Sequence, residues 1–304
     1  MSHAILLISC PDRKGITATV TNFVYQNNGN IVHADQHIDT SGNYSKTSRG
    51  VILSASEGHP QVGNTFFMRI EWDLKNFRLN RAKIRGHFAK IARKFGMTWE
   101  LYFTDQKVRT AIFVSRHLHC LYDLLLRHRQ GQLSCEIPLI ISNHSDAKAV
   151  ASDFGIKFMQ VPITPLNKSA QEKKEIKVLK QAMVDLIVLA RYHQVLTRAF
   201  VQTFSNKIIN IHHSFLPAFA GKNPYLQAFK RGVKIIGATS HFVSEELDAG
   251  PIIEQDVAHI SHRNSLEDLV QQGEDLEKMV LSRAVKLFLQ HKILTYGNKT
   301  VIFD

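Results

Sequence analysis

The chain has 304 residues, with 38 Lys+Arg against 26 Asp+Glu, a formal net charge of +12 and a pI near 9.6. That length is room for roughly two domains of ordinary size. The 44% of apolar residues is enough to give each a core, which excludes a disordered, collagen-like or disulfide-stapled chain. The longest apolar runs, such as residues 4–8 and 186–190, fall far short of the roughly 20 residues that cross a bilayer, so no membrane partner is expected. The N-terminus enters a short apolar run without a basic leader, and no secretory signal is expected. Cys10, Cys120 and Cys135 cannot all pair and lack metal-ligand spacing, as expected of reduced thiols in a cytoplasmic protein.

Residues 4–10 are a β-rich run and residues 11–15 a turn. Residues 16–27 carry Ile16, Val20, Phe23 and Val24 on one helical face and are closed by Asn28, Gly29 and Asn30. Residues 31–38 alternate as a strand, and residues 66–72 form the next. A helix follows in which Ile84, Phe88, Ile91 and Phe95 recur at helical spacing, before a last strand at 98–103. This βαββαβ order predicts a ferredoxin-like unit with two helices on one face of a four-stranded sheet. Between the second and third strands, residues 44–64 interrupt what is otherwise a tight hairpin at Ser41-Gly42-Asn43. They are read as a surface insertion that leaves catalysis intact.

More than half of the charge excess sits in residues 65–110, which hold eleven basic and four acidic residues. Arg78, Arg81, Lys83, Arg85, Lys90, Arg93 and Lys94 place it on the outer face of the second helix. A solvated face and an anion site both fit that pattern. No aromatic residues interleave with the charges as a base-stacking surface requires, so no nucleic-acid partner is expected.

Beyond a linker at 105–109 the rhythm changes. Short apolar strands at 110–115, 136–142, 157–161, 185–190 and 208–212 alternate with helical patterns at 118–129, 146–154 and 169–181. Such alternation predicts a mostly parallel, Rossmann-type α/β sheet with helices on both faces. Strands at 234–243 and 251–258 and a long amphipathic helix from Ser265 to about Gln290 complete it. The expected division is 1–104, a linker 105–109, and 110–304.

The densest polar cluster is Asn210-Ile211-His212-His213-Ser214. Alternate strand residues share a face, so Asn210 and His212 are presented together while Ile209 and Ile211 point into the packing. An amide and an imidazole at the carboxyl end of a parallel strand can hold a carbonyl oxygen and move a proton; capping of the next loop is the competing account. Asp248, in a turn punctuated by Gly250-Pro251, can meet a histidine on a neighbouring strand or serve as an Asx cap. No metal-binding spacing appears, and His212 and His213, adjacent on a strand, are expected to point to opposite faces.

Residues 209–217, 224–232, 237–243 and 247–253 closely resemble the catalytic domain of the tetrahydrofolate-dependent formyltransferases. Residues 114–125 and Cys10-Pro11-Asp12-Arg13-Lys14-Gly15-Ile16 extend the likeness to the deformylase subgroup of that family, which carries an N-terminal ACT domain. The resemblance implies hydrolysis of 10-formyltetrahydrofolate, with catalytic roles on Asn210, His212 and Asp248. It implies folate contacts at Arg191, Tyr192, His193, Gln194, Val195, Leu196, Glu245 and Leu247, and no cofactor besides the folate substrate. An ACT domain further implies a homo-oligomer and an amino-acid effector near Asp12 and Gly15, where a plain turn role is the alternative. The chain departs from the family pattern at His193, where Met is usual, and at Lys222-Asn223.

Hydrolysis and transfer share the trio, so the acceptor site must separate them. Where related transformylases have a glycine-rich phosphate cradle, Ser115-Arg116-His117-Leu118-His119-Cys120 contains no glycine, which favours water as acceptor. Arg116, His117 and His119 can bind an anion or serve capping and packing. Two other readings are a formyltransferase acting on an amine and a sensor of folate or amino acids without turnover. The joint presence of Asn210, His212 and Asp248 argues against the sensor.

Overall fold

The computed structural model describes residues 2–40, 44–46, 52–54, 64–217 and 224–304. The chain forms two compact units, residues 1–106 with 303–304, and residues 107–302.

The first unit runs β1 (His3–Pro11), α1 (Ile16–Gln26), β2 (Asn30–Asp39), β3 (Tyr44–Lys46), β4 (Ile52–Ser54), β5 (Thr65–Asp73), α2 (Arg81–Phe95) and β6 (Thr98–Phe103). Its main sheet is antiparallel, in the order β2-β5-β1-β6. Ala4, Leu6, Ile8 and Cys10 of β1 stand opposite Trp72, Ile70, Met68 and Phe66 of β5, so one pleat face carries all eight into the core. Ile16, Val20, Phe23 and Val24 of α1 close on that face, as their spacing predicts, together with Ile84, Phe88, Ala92 and Phe95 of α2.

On α2, the Arg81 and Arg85 guanidiniums lie 4.8 and 5.1 Å from the ring centroids of Phe103 and Trp99. The basic face thus covers its own sheet's aromatics, which favours the solvated-face reading. The expected insertion leaves the β2–β5 register at the pair Asp39 and Thr65. Within it, β3 and β4 pair antiparallel as a small ribbon. The rest of residues 44–63, like Lys222-Asn223, lies outside the described residues.

The second unit runs β7 (Val108–Val114), α3 (His119–Arg129), β8 (Cys135–Ser142), α4 (Ala147–Asp153), β9 (Phe158–Gln160), α5 (Lys168–Gln181), β10 (Leu186–Ala190) and α6 (Arg198–Thr203). It continues with β11 (Ile208–His212), α7 (Pro224–Arg231), β12 (Ile235–Phe242), β13 (Ile252–His259), α8 (Leu266–Leu289), β14 (Ile293–Tyr296) and β15 (Lys299–Ile302). The sheet order is β13-β12-β11-β10-β7-β8-β9. Strands β7 to β11 are mutually parallel, and β12 and β13 continue the sheet antiparallel. The expected linker is shortened, because β7 begins at Val108.

Strand alternation splits the core in two. Ile112, Val114, Val188, Ala190, Ile209 and Ile211 pack on one side with Leu121 and Leu124 of α3 and Leu276 and Val280 of α8. Ala111, Phe113, Ile187, Leu189 and Ile208 pack on the other with Leu179 of α5 and Phe200 of α6. Helix α8 starts at a capping box between Ser265 and Asp268.

Two features escaped the sequence reading. Helix α6 has six residues, too few to show a helical period, and its signal was the Thr197 cap. The β14–β15 hairpin turns at Gly297-Asn298 between four-residue strands, too short for alternation to stand out.

Candidate active site

Strand β11 is where the sheet changes sense, parallel to β10 on one side and antiparallel to β12 on the other. Directly across from Asn210 and His212 stand His241 and Thr239 of β12, and residues so paired share a face. After β12 the chain folds back sharply into β13. Gly250 passes so close to Phe242 that a Cβ there would lie 1.8 Å from the Phe242 carbonyl oxygen. This tight return presents Asp248, held in the left-handed region at φ 54, which Asp tolerates better than most residues. Its Oδ2 lies 3.2 Å from His212 Nδ1, and its Oδ1 lies 3.7 Å from His241 Nε2.

The hydrogen-bond network assigns the protons. His241 Nδ1–H donates to the Phe242 carbonyl at 2.9 Å, which leaves Nε2 as an acceptor for the Asn210 amide at 3.2 Å. One Asn210 N–H is thereby used and the side chain oriented, while the second remains for a ligand. His212 turns Nδ1 to Asp248, and its Nε2 is buried with no partner among the described residues. Such an orphan costs about 1–3 kcal/mol unless a ligand or water fills it. The hydrogen bond from His212 Nδ1, with the His241 ring beside the other carboxylate oxygen, holds the Asp248 carboxyl well below the usual carboxylate range. His241 is the participant the sequence reading assigned no role. Its place opposite Asn210 comes from the register of two strands, for which the sequence carries no local signal.

Residues 191–196 leave β10 in a pinned turn. Arg191 adopts φ 62, and its carbonyl accepts from Ser115 N at 3.2 Å. His193 N donates to Ser115 Oγ at 3.1 Å, which in turn donates to Asn143 Oδ1 at 2.8 Å. Tyr192 is buried edge-on against Phe113 at 5.2 Å. His193 is exposed with its ring 5.5 Å from that of His117; Gln194 and Leu196 are half-buried, and Val195 is exposed. Glu245 and Leu247 sit exposed beside Asp248. The Glu245 carboxylate is engaged by Arg198 Nε at 2.8 Å and Gln202 Nε2 at 2.7 Å, both on α6. Asp12 and Gly15 lie exposed in the turn before α1 of the first unit, Gly15 at φ 89.

His213 follows the end of β11, its ring 5.2 Å from that of His212 and 6.0 Å from that of Tyr225. Burial and the Arg191 charge push it down to about 4, so it is neutral at pH 7. Of the three residues considered for an anion, Arg116 and His117 are exposed, whereas His119 is bound by Glu277 at 2.8 Å. His119, Cys120 and Glu277 bring ligand-type atoms within 4.8 Å of one another. The Arg191 cation on the same carboxylate and a buried thiol raised well above its ordinary range make this a poor cation site.

A mostly parallel sheet with an amide, an imidazole and a carboxylate converging at β11, alongside a βαββαβ unit, defines a formyl transferase with an N-terminal ACT domain. The family model described as formyl transferase matches residues 108–285, and the ACT domain model matches residues 4–65. A formyltetrahydrofolate deformylase of Synechocystis is 52% identical over 300 residues, 99% of this chain and 98% of that protein. One of Bacillus subtilis is 42% identical over 299 residues, 98% and 93% of the two chains. The crystal structure of a formyltetrahydrofolate deformylase from Pseudomonas syringae matches with a TM-score of 0.90 at 41% identity, covering 100% of this chain and 95% of that one. The chain belongs to the formyltetrahydrofolate deformylase family.

Proposed function

We infer that this protein hydrolyses 10-formyltetrahydrofolate with water, giving tetrahydrofolate and formate. The observation that carries the reading is the buried Nε2 of His212, unpartnered among the described residues, whose Nδ1 faces ionised Asp248 and whose strand neighbour Asn210 keeps an N–H unused among those residues. Asn210 and His212 hold the formyl oxygen. Water adds to the formyl carbon, its proton passing to the Asp248 carboxylate, and the negative charge builds on that oxygen. One such donor is worth about 3–4 kcal/mol in comparable sites. The proton then moves to the departing folate nitrogen, the C–N bond breaks, and formic acid loses its remaining proton to solvent.

Residues 191–196 are read as the loop that binds the pterin edge through backbone groups, with Glu245 and Leu247 at its rim. Residues 1–104 are the regulatory domain, with an amino-acid effector near Asp12 and Gly15 and pairing of copies. Residues 110–304 carry the chemistry. Three free, buried cysteines fit a reducing cytoplasm, and no helix among the described residues is long and apolar enough to cross a membrane. Formyl transfer to an amine is less favoured, because the Ser115 and His193 backbone N–H groups, where a phosphate cradle would need free donors, are committed to the Arg191 carbonyl and to Ser115 Oγ.

The test is formate release from 10-formyltetrahydrofolate without any amine acceptor. His212→Ala and Asp248→Asn are expected to abolish most of it, and full turnover in both variants would remove the site assignment.

A further inference from the structure

Next to the catalytic residues, linked to His212 through the rings of His213 and Tyr225, lies a buried polar cluster that the mechanism does not use. Glu277 of α8 has a side chain 1% exposed, yet is held ionised. Burial alone would raise it, but hydrogen bonds from His119 and Tyr225 and the charge of Arg191 lower it. Its Oε2 accepts from His119 Nε2 at 2.8 Å and pairs with Arg191 Nε at 3.3 Å, and its Oε1 accepts from Tyr225 OH at 2.6 Å. One carboxylate thus joins α3, α7, α8 and the residue that follows β10. Among the described residues it is the one anion within ion-pair reach of Arg191.

Arg191 is no ordinary surface cation. It opens the 191–196 loop, and it holds φ 62, a conformation that side chains larger than glycine keep only when their surroundings impose it. Its backbone is tied by Ser115, and its guanidinium, 11% exposed, is held by charge alone, as an ion pair with Glu277 in which Nε makes no hydrogen bond among the described residues. We propose that Glu277 is a positioning residue for substrate binding, its carboxylate fixing Arg191 and through it the backbone of residues 191–193. The proposal rests on reading that loop as the folate site. Without the charge, a buried guanidinium is left unpaired and swings towards water, carrying the loop with it. The trio at β11 is held by other bonds, those of Asp248, His241 and the β10 and β12 ladders. Loss of Glu277 is therefore a loss of affinity with the chemical step retained.

The experiment measures KM and kcat for formate release, and calorimetric binding of tetrahydrofolate, in Glu277→Gln, Arg191→Met, their double variant and Tyr225→Phe. Formate release by the unmodified protein tests the functional reading separately. For Glu277→Gln and for Arg191→Met we expect KM and the tetrahydrofolate Kd to rise about tenfold or more with kcat within about threefold. The double variant is expected to resemble either single one, since both break one pair. Tyr225→Phe, which removes a bond to the same carboxylate without touching Arg191, is expected to leave KM within about twofold. Additive effects in the double variant, an unchanged KM, or a fall in kcat alone would overturn the proposal. Should Glu277→Gln fail to fold, Arg191→Met decides, and an unchanged KM there refutes it.

Discussion

The Tyr225 ring occupies the space a side chain on Gly273 would need: a Cβ at Gly273 would lie 2.2 Å from Tyr225 Cζ. Gly273 stands in the interior of α8, where glycine costs about 1 kcal/mol relative to alanine. The reason to keep it is one turn further on, where the Tyr225 hydroxyl reaches Glu277. Gly273→Ala is expected to destabilise by about 1–3 kcal/mol despite its better helix propensity. Paired with Tyr225→Ala, the same substitution is expected to add no further loss, as denaturant unfolding of the four proteins can check.

Asp248→Asn keeps the volume of the side chain but removes the carboxylate proposed to accept the proton of the attacking water. The expected fall in kcat is a factor of about 10² to 10⁴, with KM changed much less. Because the carboxyl is depressed by His212 and His241, its stabilising contribution is present above the ordinary carboxylate value and is lost as pH falls through its lower folded value. The stability difference between the unmodified protein and Asp248→Asn should therefore be constant from pH 5 to 8 and shrink only under strong acid.

Glu175 behaves oppositely. Buried on α5 with neither oxygen partnered among the described residues, and one turn from Glu172, it is pushed up to about 8, first by burial and then by that neighbour's charge. The folded state holds its proton where the unfolded chain releases it, so stability is full below about 4.5 and declines as pH rises to about 8. Glu175→Gln should flatten that decline in melting temperature across this range.

His213 supplies a third slope. Pushed down to about 4 from an ordinary 6.5, it takes up a proton in the unfolded chain before the folded one does. Stability attached to it is present above about 6.5 and is lost as pH falls towards 4. His213→Asn is expected to remove this acid-side loss while leaving the alkaline decline from Glu175 untouched, and melting curves from pH 4 to 8 separate the two.

What sequence could show depended on how far apart the partners are. Asn210 and His212 are two residues apart on one strand, so alternation alone placed them together, and β11 falls on residues 208–212 as expected. The four buried positions of α1 follow from helical spacing in the same way. His241 needed the register between two strands, which nothing local encodes. Glu277 needed three partners from three other elements, one of them 158 residues away, and in the sequence it is merely one more acidic residue of a long charged helix. The buried Glu175 was equally invisible, since a glutamate among lysines on α5 reads as solvent-facing.

Strand β11 is bonded in parallel fashion to one neighbour and in antiparallel fashion to the other. A slip of a single residue would break both ladders and present Ile209 and Ile211 where the amide and imidazole now stand. The active centre is therefore digital: a molecule has its strand seated and works at full speed, or has it displaced and does not work at all. Variants that weaken the surrounding core should lower the number of competent molecules in a preparation while each survivor turns over at the original rate.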